Sequence, residues 1–381
     1  MKTELVQIYH GYIKAEKPLP LPLYNQEGRL MAEKGMILSH EKVVDILTNP
    51  RILTPKSELI EALDRFKLES YRVDSVDDDY AFQLTGTVDA LHRMEKEFLA
   101  LVADNESGFE KKMHALAKRL NALTERNPDA CLASIFLRTT RSSIIAVSFA
   151  TAIIGAILTR EMYWAEKERI TFICAALTLE ISNLIEYEGD GLFDLEPDMS
   201  KINGIAHIKP SIEMLKGKGV EHRKWFSYIL THHAYDPKSD NREQGNIELG
   251  LAMSLMNLVH HYCSMVTGYG YEQVVLPDVA TAYIFGNQEQ RYQKYFARIF
   301  SRFVGKYPAG TIVTLANKIT AIVVRQGVDM LYPYISILRH ADGGEAKAHK
   351  ALHTDSHTNK ISNTLFDVRL VRQVNFASLW R

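Results

Sequence analysis

Cysteine is scarce in this sequence, with 3 in 381 residues. Cys131, Cys174 and Cys263 lie far apart in apolar segments and form no CxxC pair. Such spacing is untypical of a disulfide framework and typical of buried free thiols in a reducing compartment. We therefore expect unbridged, buried cysteines in a cytoplasmic protein.

An excess of charge of one sign and a long hydrophobic run are also missing. The net charge is −1 at pH 7, so no global field favours a nucleic acid polymer or an anionic membrane as a partner. The most apolar run, Ala146–Leu158, contains Ser148 and Thr151 and is shorter than the roughly 20 residues that cross a bilayer. We expect a buried helix there and no membrane insertion. Since the first residues have no continuous apolar core, we expect no signal peptide.

The composition that remains is that of an ordinary soluble protein, with 46% hydrophobic and 24% charged residues. Its patterns divide the chain into three parts. Residues 1–55 predict a small N-terminal α/β module with a hairpin around the turn Asn25–Gly28. Residues 56–127 predict a linker followed by a long helical segment. Residues 128–381 predict a helical domain that ends in a β-hairpin and a tail.

The long helical segment carries a regular apolar stripe, in which apolar residues recur every three to four positions from Thr87 to Thr124. Such a stripe is either an internal packing surface or the seam of a dimeric coiled coil, and both interpretations stay open. A homodimer through residues 87–124 is therefore one expected interaction.

Helical patterns continue almost without interruption from Pro128 to Gly268. We predict helices at Ala130–Leu137, Ser142–Leu158, Glu166–Leu184, Met199–Leu215, His222–His232 and Ile247–Val266. The pattern then alternates tightly around Ala316–Lys318, which predicts a β-hairpin, and Tyr332–His340 predicts a third strand. The expected fold class is mainly α, a helical bundle with a small β-containing N-terminal module and a short C-terminal β-hairpin region.

Histidines and one carboxylate outline a metal site within these helices. His232 and His233 close an apolar helix, His207 and Glu180 precede them, and His260 follows in a later helix. Imidazole and carboxylate groups are the ligands that zinc, iron and manganese take in such positions. The competing interpretation is that the histidines hydrogen-bond to one another in a polar core without any metal.

Six segments resemble, in order, the motifs of HD-GYP proteins, a bacterial branch of the HD phosphohydrolase superfamily. PLPLYNQEGRLMAEKGMIL is similar to the small domain that precedes many HD-GYP domains, and CAALTLEISNLI resembles AALLHDIGKL. HIKPSIEML resembles HPxxGxxxL, and ILTHHAYDPKSD resembles QHHERxDGSGYP. MNLVHHYCSMVT resembles LAVADxYDALTS, and FVGKYPAGTIVTL resembles FxxxxGxYPxGxxVxL. The resemblance covers nearly the whole chain and implies an HD-type helical bundle.

The resemblance implies metal-assisted hydrolysis of cyclic di-GMP by two or three iron-type or manganese-type ions, which activate a water or hydroxide. The sequence departs from that pattern at its centre. The HD dyad falls on Leu179 and Glu180, so its histidine is lost and its aspartate is lengthened. The glycine and lysine that follow become Ser182 and Asn183, and the histidine of the preceding helix becomes Arg141.

Other positions of the family pattern are kept. His207, His232 and His233 match family histidines, whereas the GYP loop is replaced by PKSD. The aspartate of the later helix falls on His260, or on Leu258 in an alternative register. The metal set implied is His207, His232, His233, Glu180 and His260. The expectation is that no cofactor is bound, and one transition metal (iron, manganese or zinc) held by this set is the alternative. No residue is assigned a catalytic role.

Arg141 is the expected ligand-binding residue, because a guanidinium suits phosphate recognition; an ordinary surface or intrahelical ion pair is its alternative role.

Loss of the dyad histidine, the lysine and the GYP loop favours a catalytically inactive HD-GYP-like regulatory protein. It would act by ligand or protein binding in bacterial cyclic di-GMP-type signalling, with other signalling proteins or cyclic di-GMP itself as partners. The alternative is an active metal-dependent cyclic di-GMP phosphodiesterase with a rearranged, histidine-rich site. A third hypothesis is an unrelated all-α regulatory protein, in which these residues do not converge.

Overall fold

The structure is a computed structural model. It describes residues 5–7, 18–19, 21–39, 42, 46, 52–55, 57–58, 86–104, 107–138, 144–188, 206–233, 250–271, 273–286, 293–327, 331–346, 351–374 and 376–380. The fold is mainly helical, with a small N-terminal sheet and a C-terminal sheet, as the sequence predicts.

The N-terminal sheet has four short antiparallel strands in the order β1-β4-β2-β3. They are β1 (Leu5–Gln7), β2 (Leu23–Tyr24), β3 (Leu30–Ala32) and β4 (Leu53–Pro55). The predicted hairpin is β2–β3. Its turn is closed by the Asn25 side chain, which accepts hydrogen bonds from the backbone N–H groups of Glu27 and Arg29. Gly28 adopts φ 76° there, a left-handed conformation that glycine reaches without steric cost.

Helices make up the middle of the chain, and two further short helices lie near its C-terminal end. They are α1 (Thr87–Ala103), α2 (Phe109–Arg126), α3 (Pro128–Phe136), α4 (Ile144–Glu161), α5 (Glu166–Thr178), α6 (Ile181–Glu188), α7 (Ile208–Gly217), α8 (Arg223–Thr231), α9 (Leu251–Thr267), α10 (Pro277–Gly286), α11 (Gln293–Phe303), α12 (Val368–Gln373) and α13 (Phe376–Leu379). Within the described residues, the bounds of the predicted helices agree with those of the observed helices to within a few residues. The one exception is the helix predicted at Glu166–Leu184, which is broken into two.

Helix α4 is the centre of the bundle and contacts α2, α3, α5, α9 and α11. It is apolar on all sides, as a fully surrounded core helix must be. Gly155 allows α5 to come close, because a Cβ at this position would overlap the ring of Phe172. Within the described part of the chain, α4 alone is long and apolar enough to cross a membrane, and 83% of that window is buried inside the protein. The predicted buried helix is confirmed.

The apolar stripe of α1 and α2 is used within the chain. Leu91, Met94, Phe98, Met113 and Leu116 are all buried, and the Phe98 ring meets Phe149 of α4 edge to face. Both helices share one apolar core with the later helices. A homodimer through residues 87–124 stays a prediction and would need the other faces of α1 and α2. The division of the chain at residues 55 and 127 also stays a prediction.

The helix predicted at Glu166–Leu184 is in fact two helices, with a turn at Leu179 and Glu180. Asn183 donates its backbone N–H to the Glu180 carbonyl oxygen at 3.0 Å, a step of three residues rather than four. No proline or glycine lies in this segment, so the sequence carries no local signal for the break. The turn places the Glu180 side chain in a buried cluster of histidines.

The C-terminal sheet has five antiparallel strands in the order β8-β7-β6-β5-β9. They are β5 (Ile312–Leu315), β6 (Thr320–Arg325), β7 (Tyr334–Arg339), β8 (Ala351–His353) and β9 (Ile361–Leu365). The predicted hairpin is β5–β6 and the predicted third strand is β7. The two outer strands were not predicted, because β8 has only three residues and half of the residues in the two strands are polar.

The C-terminal sheet packs on α3 through a glycine. Gly310 adopts φ 91° immediately before β5, and a Cβ on it would lie 2.6 Å from Cα of Ala133. The Trp380 indole N–H donates to the carbonyl oxygen of Val324 at 2.7 Å, which fixes α13 against β6. The three cysteines are buried and unbridged, as predicted.

Candidate metal centre

Five side chains from four separate parts of the bundle meet in its interior. Glu180 lies in the turn between α5 and α6, His207 is the N-cap of α7, His232 is the C-cap of α8, His233 follows it, and His260 lies in α9. Glu180 is 1% exposed, His207, His232 and His260 are buried, and His233 is half-buried. Residues far apart in sequence therefore form one polar cluster inside an apolar core.

One oxygen of Glu180 is the geometric centre of this cluster. Its Oε1 lies 3.3 Å from Nε2 of His207, 3.5 Å from that of His232, 3.9 Å from that of His233 and 3.4 Å from that of His260. The Nε2 atoms of His207 and His232 are 3.0 Å apart. All four imidazoles therefore direct the same ring atom at one carboxylate oxygen.

The other oxygen of Glu180 is held by two hydrogen-bond donors. Oε2 accepts one hydrogen bond from Asn183 Nδ2 at 2.9 Å and one from the hydroxyl of Tyr269 at 3.1 Å. Asn183 Nδ2 also lies 3.2 Å from the Tyr269 hydroxyl oxygen. The carboxylate is thus fixed in orientation, with one oxygen bound by donors and the other directed at the histidines.

The protonation of His232 follows from its backbone contact. Its Nδ1 lies 2.7 Å from the carbonyl oxygen of Ile229, and because a carbonyl can only accept, Nδ1 carries the hydrogen. In the neutral ring, Nε2 then presents a lone pair to the cluster, which is the usual arrangement of a metal-binding histidine. Asn257 adds support by donating from Nδ2 to the backbone carbonyl oxygen of His232 at 2.6 Å.

Hydrogen bonds also join the helices that carry Glu180 and His207. The Ser182 hydroxyl donates to the carbonyl oxygen of His207 at 3.2 Å and lies 2.9 Å from the Ser211 hydroxyl. Ser182 occupies the position where the HD-GYP resemblance expects glycine. It thereby contributes to positioning the N-terminus of α7.

Burial sets the charge state of the cluster. Burial lowers the pKa of His207 to about 4, although the Glu180 carboxylate raises it. Burial likewise lowers the pKa of His232 well below 6.5. For Glu180, burial raises the pKa, but His207, His232 and His260 together outweigh this effect and hold it well below 4.5. Neutral imidazoles around an ionised carboxylate are the form that binds metal ions.

The spacing of the donor atoms fits one ion. Ligand atoms about 2.1 Å from an ion, at roughly 90–110° to each other, lie about 3.0–3.4 Å apart. The Nε2 atoms of His207 and His232 are 3.0 Å apart, and they lie 3.3 and 3.5 Å from Glu180 Oε1, so two of the three separations fall in this range and the third is 0.1 Å above it. Donor atoms of Glu180, His207, His232 and His233 all lie within 4.8 Å of one another. Three imidazoles and one carboxylate suit zinc, iron or manganese.

The structure brings together all five residues that the sequence suggested as metal ligands. Their convergence is a finding, whereas their metal binding stays a proposal. His260 contacts Glu180, and the alternative Leu258 packs in the apolar core. The neighbouring His261 points elsewhere, with Nε2 2.9 Å from the Tyr271 hydroxyl.

Arg141 and the PKSD segment lie outside the described residues. Sequence reasoning assigned no role to Tyr269. It noted Asn183 only because this residue stands where the family motif has a lysine. A tyrosine after a helix-ending glycine is too common to mark a site. Its contact with Glu180 depends on how the helices pack.

Comparison with known proteins adds little. No protein-family model matches the chain, and no curated protein matches it. A solved structure described as "Bd1817, a HDG"Y"P protein from Bdellovibrio bacteriovorus" is similar over 78% of this chain and 98% of that chain, with 10% sequence identity and a TM-score of 0.41. A similarity at this level assigns no function. The functional assignment therefore rests on the order of the sequence motifs and on the cluster itself.

Proposed function

We propose that this chain is a degenerate HD-GYP-type regulatory protein that holds a single transition-metal ion and acts by binding rather than hydrolysis, in bacterial cyclic di-GMP-type signalling. The observation that carries the proposal is the convergence of Glu180 with His207, His232 and His233 in one buried cluster. These are the positions that the motif resemblance selects for metal ligands. An unrelated helical protein would have no reason to bring them together.

The donor set favours a closed metal site. A catalytic zinc ion has three protein ligands and an open position for water, whereas four protein ligands complete a tetrahedral structural site. Here Glu180 and three histidines already supply four donors, and His260 adds a further imidazole beside Oε1. Leu179, at the position of the dyad histidine, is buried and offers no ligand. A tetrahedral ion in this set would have no position left for a nucleophile.

Charge complementarity favours binding of a cation over an empty polar core. An ionised carboxylate in an apolar interior is costly unless it is paired or coordinates a metal. Burial lowers the pKa values of His207 and His232 beside Glu180, so these two imidazoles supply no full positive charge near neutral pH. A divalent ion would supply the missing positive charge at Oε1 and use the lone pair that His232 presents.

The same donors support the active alternative if the ion takes six ligands. Iron or manganese held by Glu180, His207, His232 and His233 would keep two positions for water and a phosphate oxygen. In that case the chain would be a metal-dependent cyclic di-GMP phosphodiesterase with a rearranged site. The identity of the ion therefore separates the two functions.

The partners are part of the proposal. Other signalling proteins are the proposed binding partners, and cyclic di-GMP is the proposed ligand, with Arg141 as a phosphate contact. A cytoplasmic location fits the buried, unbridged cysteines.

The decisive experiment measures metal content, ligand binding and turnover on one preparation. Purified protein is loaded separately with zinc, iron and manganese and analysed for metal per chain. It is then titrated calorimetrically with cyclic di-GMP and assayed for its hydrolysis. We expect one ion per chain and no turnover. Hydrolysis that is lost in His232→Ala but kept in His261→Ala would establish the phosphodiesterase instead. Absence of bound metal under all three loadings would refute the metal site.

A further inference from the structure

We infer that Asn183 and Tyr269 are positioning residues that restrict this centre to one metal ion by occupying the second oxygen of Glu180. The inference rests on the proposed function, since it concerns the same metal centre. It assigns a role to two residues that are not themselves ligands.

A bridging carboxylate gives one oxygen to each of two ions. Each carboxylate oxygen has about two lone-pair positions available to donors or cations. Glu180 Oε2 already accepts from Asn183 Nδ2 at 2.9 Å and from the Tyr269 hydroxyl at 3.1 Å. Both of its positions are thereby occupied. Oε1 remains directed at the histidines, so Glu180 can bind one ion through one oxygen.

Both donors are held in place by the fold. Asn183 follows Glu180 by three residues in the first turn of α6, and its backbone N–H closes the turn at Glu180. Tyr269 is buried and follows Gly268, which ends α9 in a left-handed conformation with φ 77°. The backbone N–H groups of Gly268 and Val275 both donate to the Met265 carbonyl oxygen, which fixes this turn. The pair is therefore preorganised before any ion binds.

The identity of residue 183 matters chemically. The family resemblance expects lysine here, a cation for a substrate phosphate. Asparagine is neutral, and its amide nitrogen is directed at Glu180 and Tyr269 instead. The substitution thus removes a phosphate contact and simultaneously adds a donor that blocks a bridging carboxylate. Only the added donor at Oε2 bears on the number of ions, and it moves the centre away from a two-metal arrangement.

The test compares Tyr269→Phe, Asn183→Ala and the double variant with the wild-type chain. Tyr295→Phe is the control, because Tyr295 is a partly buried tyrosine that packs on the apolar core outside the cluster. Each protein is titrated with Mn²⁺, and the ions per chain are counted by elemental analysis and by electron paramagnetic resonance. The visible spectrum of the Co²⁺ form reports how the carboxylate is bound. Circular dichroism checks that each variant folds. If Asn183→Ala does not fold, Tyr269→Phe alone serves as the test, because it keeps the buried ring.

We expect one ion in the wild-type chain and in Tyr295→Phe, with identical Co²⁺ spectra. In Tyr269→Phe and Asn183→Ala the affinity for the first ion should fall about 10–100-fold, as for other residues that orient metal ligands. The Co²⁺ spectrum should change as Oε2 is released, and the double variant should take up a second Mn²⁺. A purely structural role would leave the spectrum and the stoichiometry unchanged.

The outcomes separate this inference from the proposed function. A wild-type chain that binds no ion overturns both. If the wild-type chain binds one ion and the double variant has the same spectrum and stoichiometry, only the role of Asn183 and Tyr269 is overturned. A wild-type chain that binds two ions overturns that role and the single-ion stoichiometry of the proposed function, while a metal centre remains.

Discussion

Glu180 Oε1 lies 3.3 Å from Nε2 of His207, although the two residues lie in separate parts of the chain and both are buried. A buried carboxylate needs hydrogen-bond donors, an opposite charge or a metal ion beside its oxygens. This contact makes the cluster a testable metal site.

Glu180→Gln should abolish metal-dependent stabilisation. The amide keeps the size of the side chain but removes the charge, so affinity should fall by about 100-fold or more. For the wild-type chain, an ion at 100 times its dissociation constant should add about 2.7 kcal/mol to the free energy of unfolding. Thermal unfolding with and without Zn²⁺ measures this. A variant that keeps the full wild-type shift would show that Glu180 is not a ligand.

His260→Ala and His261→Ala form a matched pair on one helix. His260 contacts Glu180 Oε1 at 3.4 Å, whereas His261 contacts Tyr271. We expect His260→Ala to weaken metal binding about tenfold or more and His261→Ala to leave it unchanged. Competition with a chromophoric chelator gives both affinities. Equal effects in the two variants would argue against any role of His260 in the centre.

Gly310→Ala should destabilise the contact between the C-terminal sheet and α3. The left-handed backbone costs an alanine about 1–2 kcal/mol, and the overlap with Ala133 adds about 1–3 kcal/mol. Gly343→Ala is the control, because Gly343 has φ 86° but nothing within 4 Å of a new Cβ. Denaturant unfolding should show a clearly larger loss for Gly310→Ala. Similar losses would mean that the close approach to α3 does not matter.

Asp129 should make stability depend on pH. Burial raises the pKa of its carboxyl to about 6, although Arg325 and the backbone of Gln326 oppose this. The folded state then holds a proton that the unfolded state releases from about pH 4 upward, so this group's contribution falls as pH rises from about 4 to 6.

Asp129→Asn removes that ionisation. Because the side chain is partly exposed, we expect a gain of about 1–2 kcal/mol in the free energy of unfolding at pH 7.5 and none at pH 4. Urea unfolding of both proteins at the two pH values measures the difference. An equal gain at both pH values would contradict the raised pKa.

Local patterns were enough to predict much of the fold. The nearly continuous apolar run Ala146–Leu158 predicted the central helix α4, and Asn25–Gly28 predicted the first hairpin, because a helix or a turn is specified by residues a few positions apart. The order of the histidine motifs also selected Glu180, His207, His232, His233 and His260 as one set. The outer strands β8 and β9 were missed, since short strands in which half of the residues are polar carry little periodic signal.

The sequence by itself thus determined most of the helices, the hairpins β2–β3 and β5–β6, and the five residues of the cluster. Tertiary structure alone decided that the helix breaks at Leu179 and Glu180, that the stripe of α1 and α2 faces its own core, and that Tyr269 reaches Glu180 Oε2. The physical reason is that periodicity shows which side chains are buried but not which partners they meet. The orientation of a buried carboxylate depends on donors brought to it from distant parts of the chain.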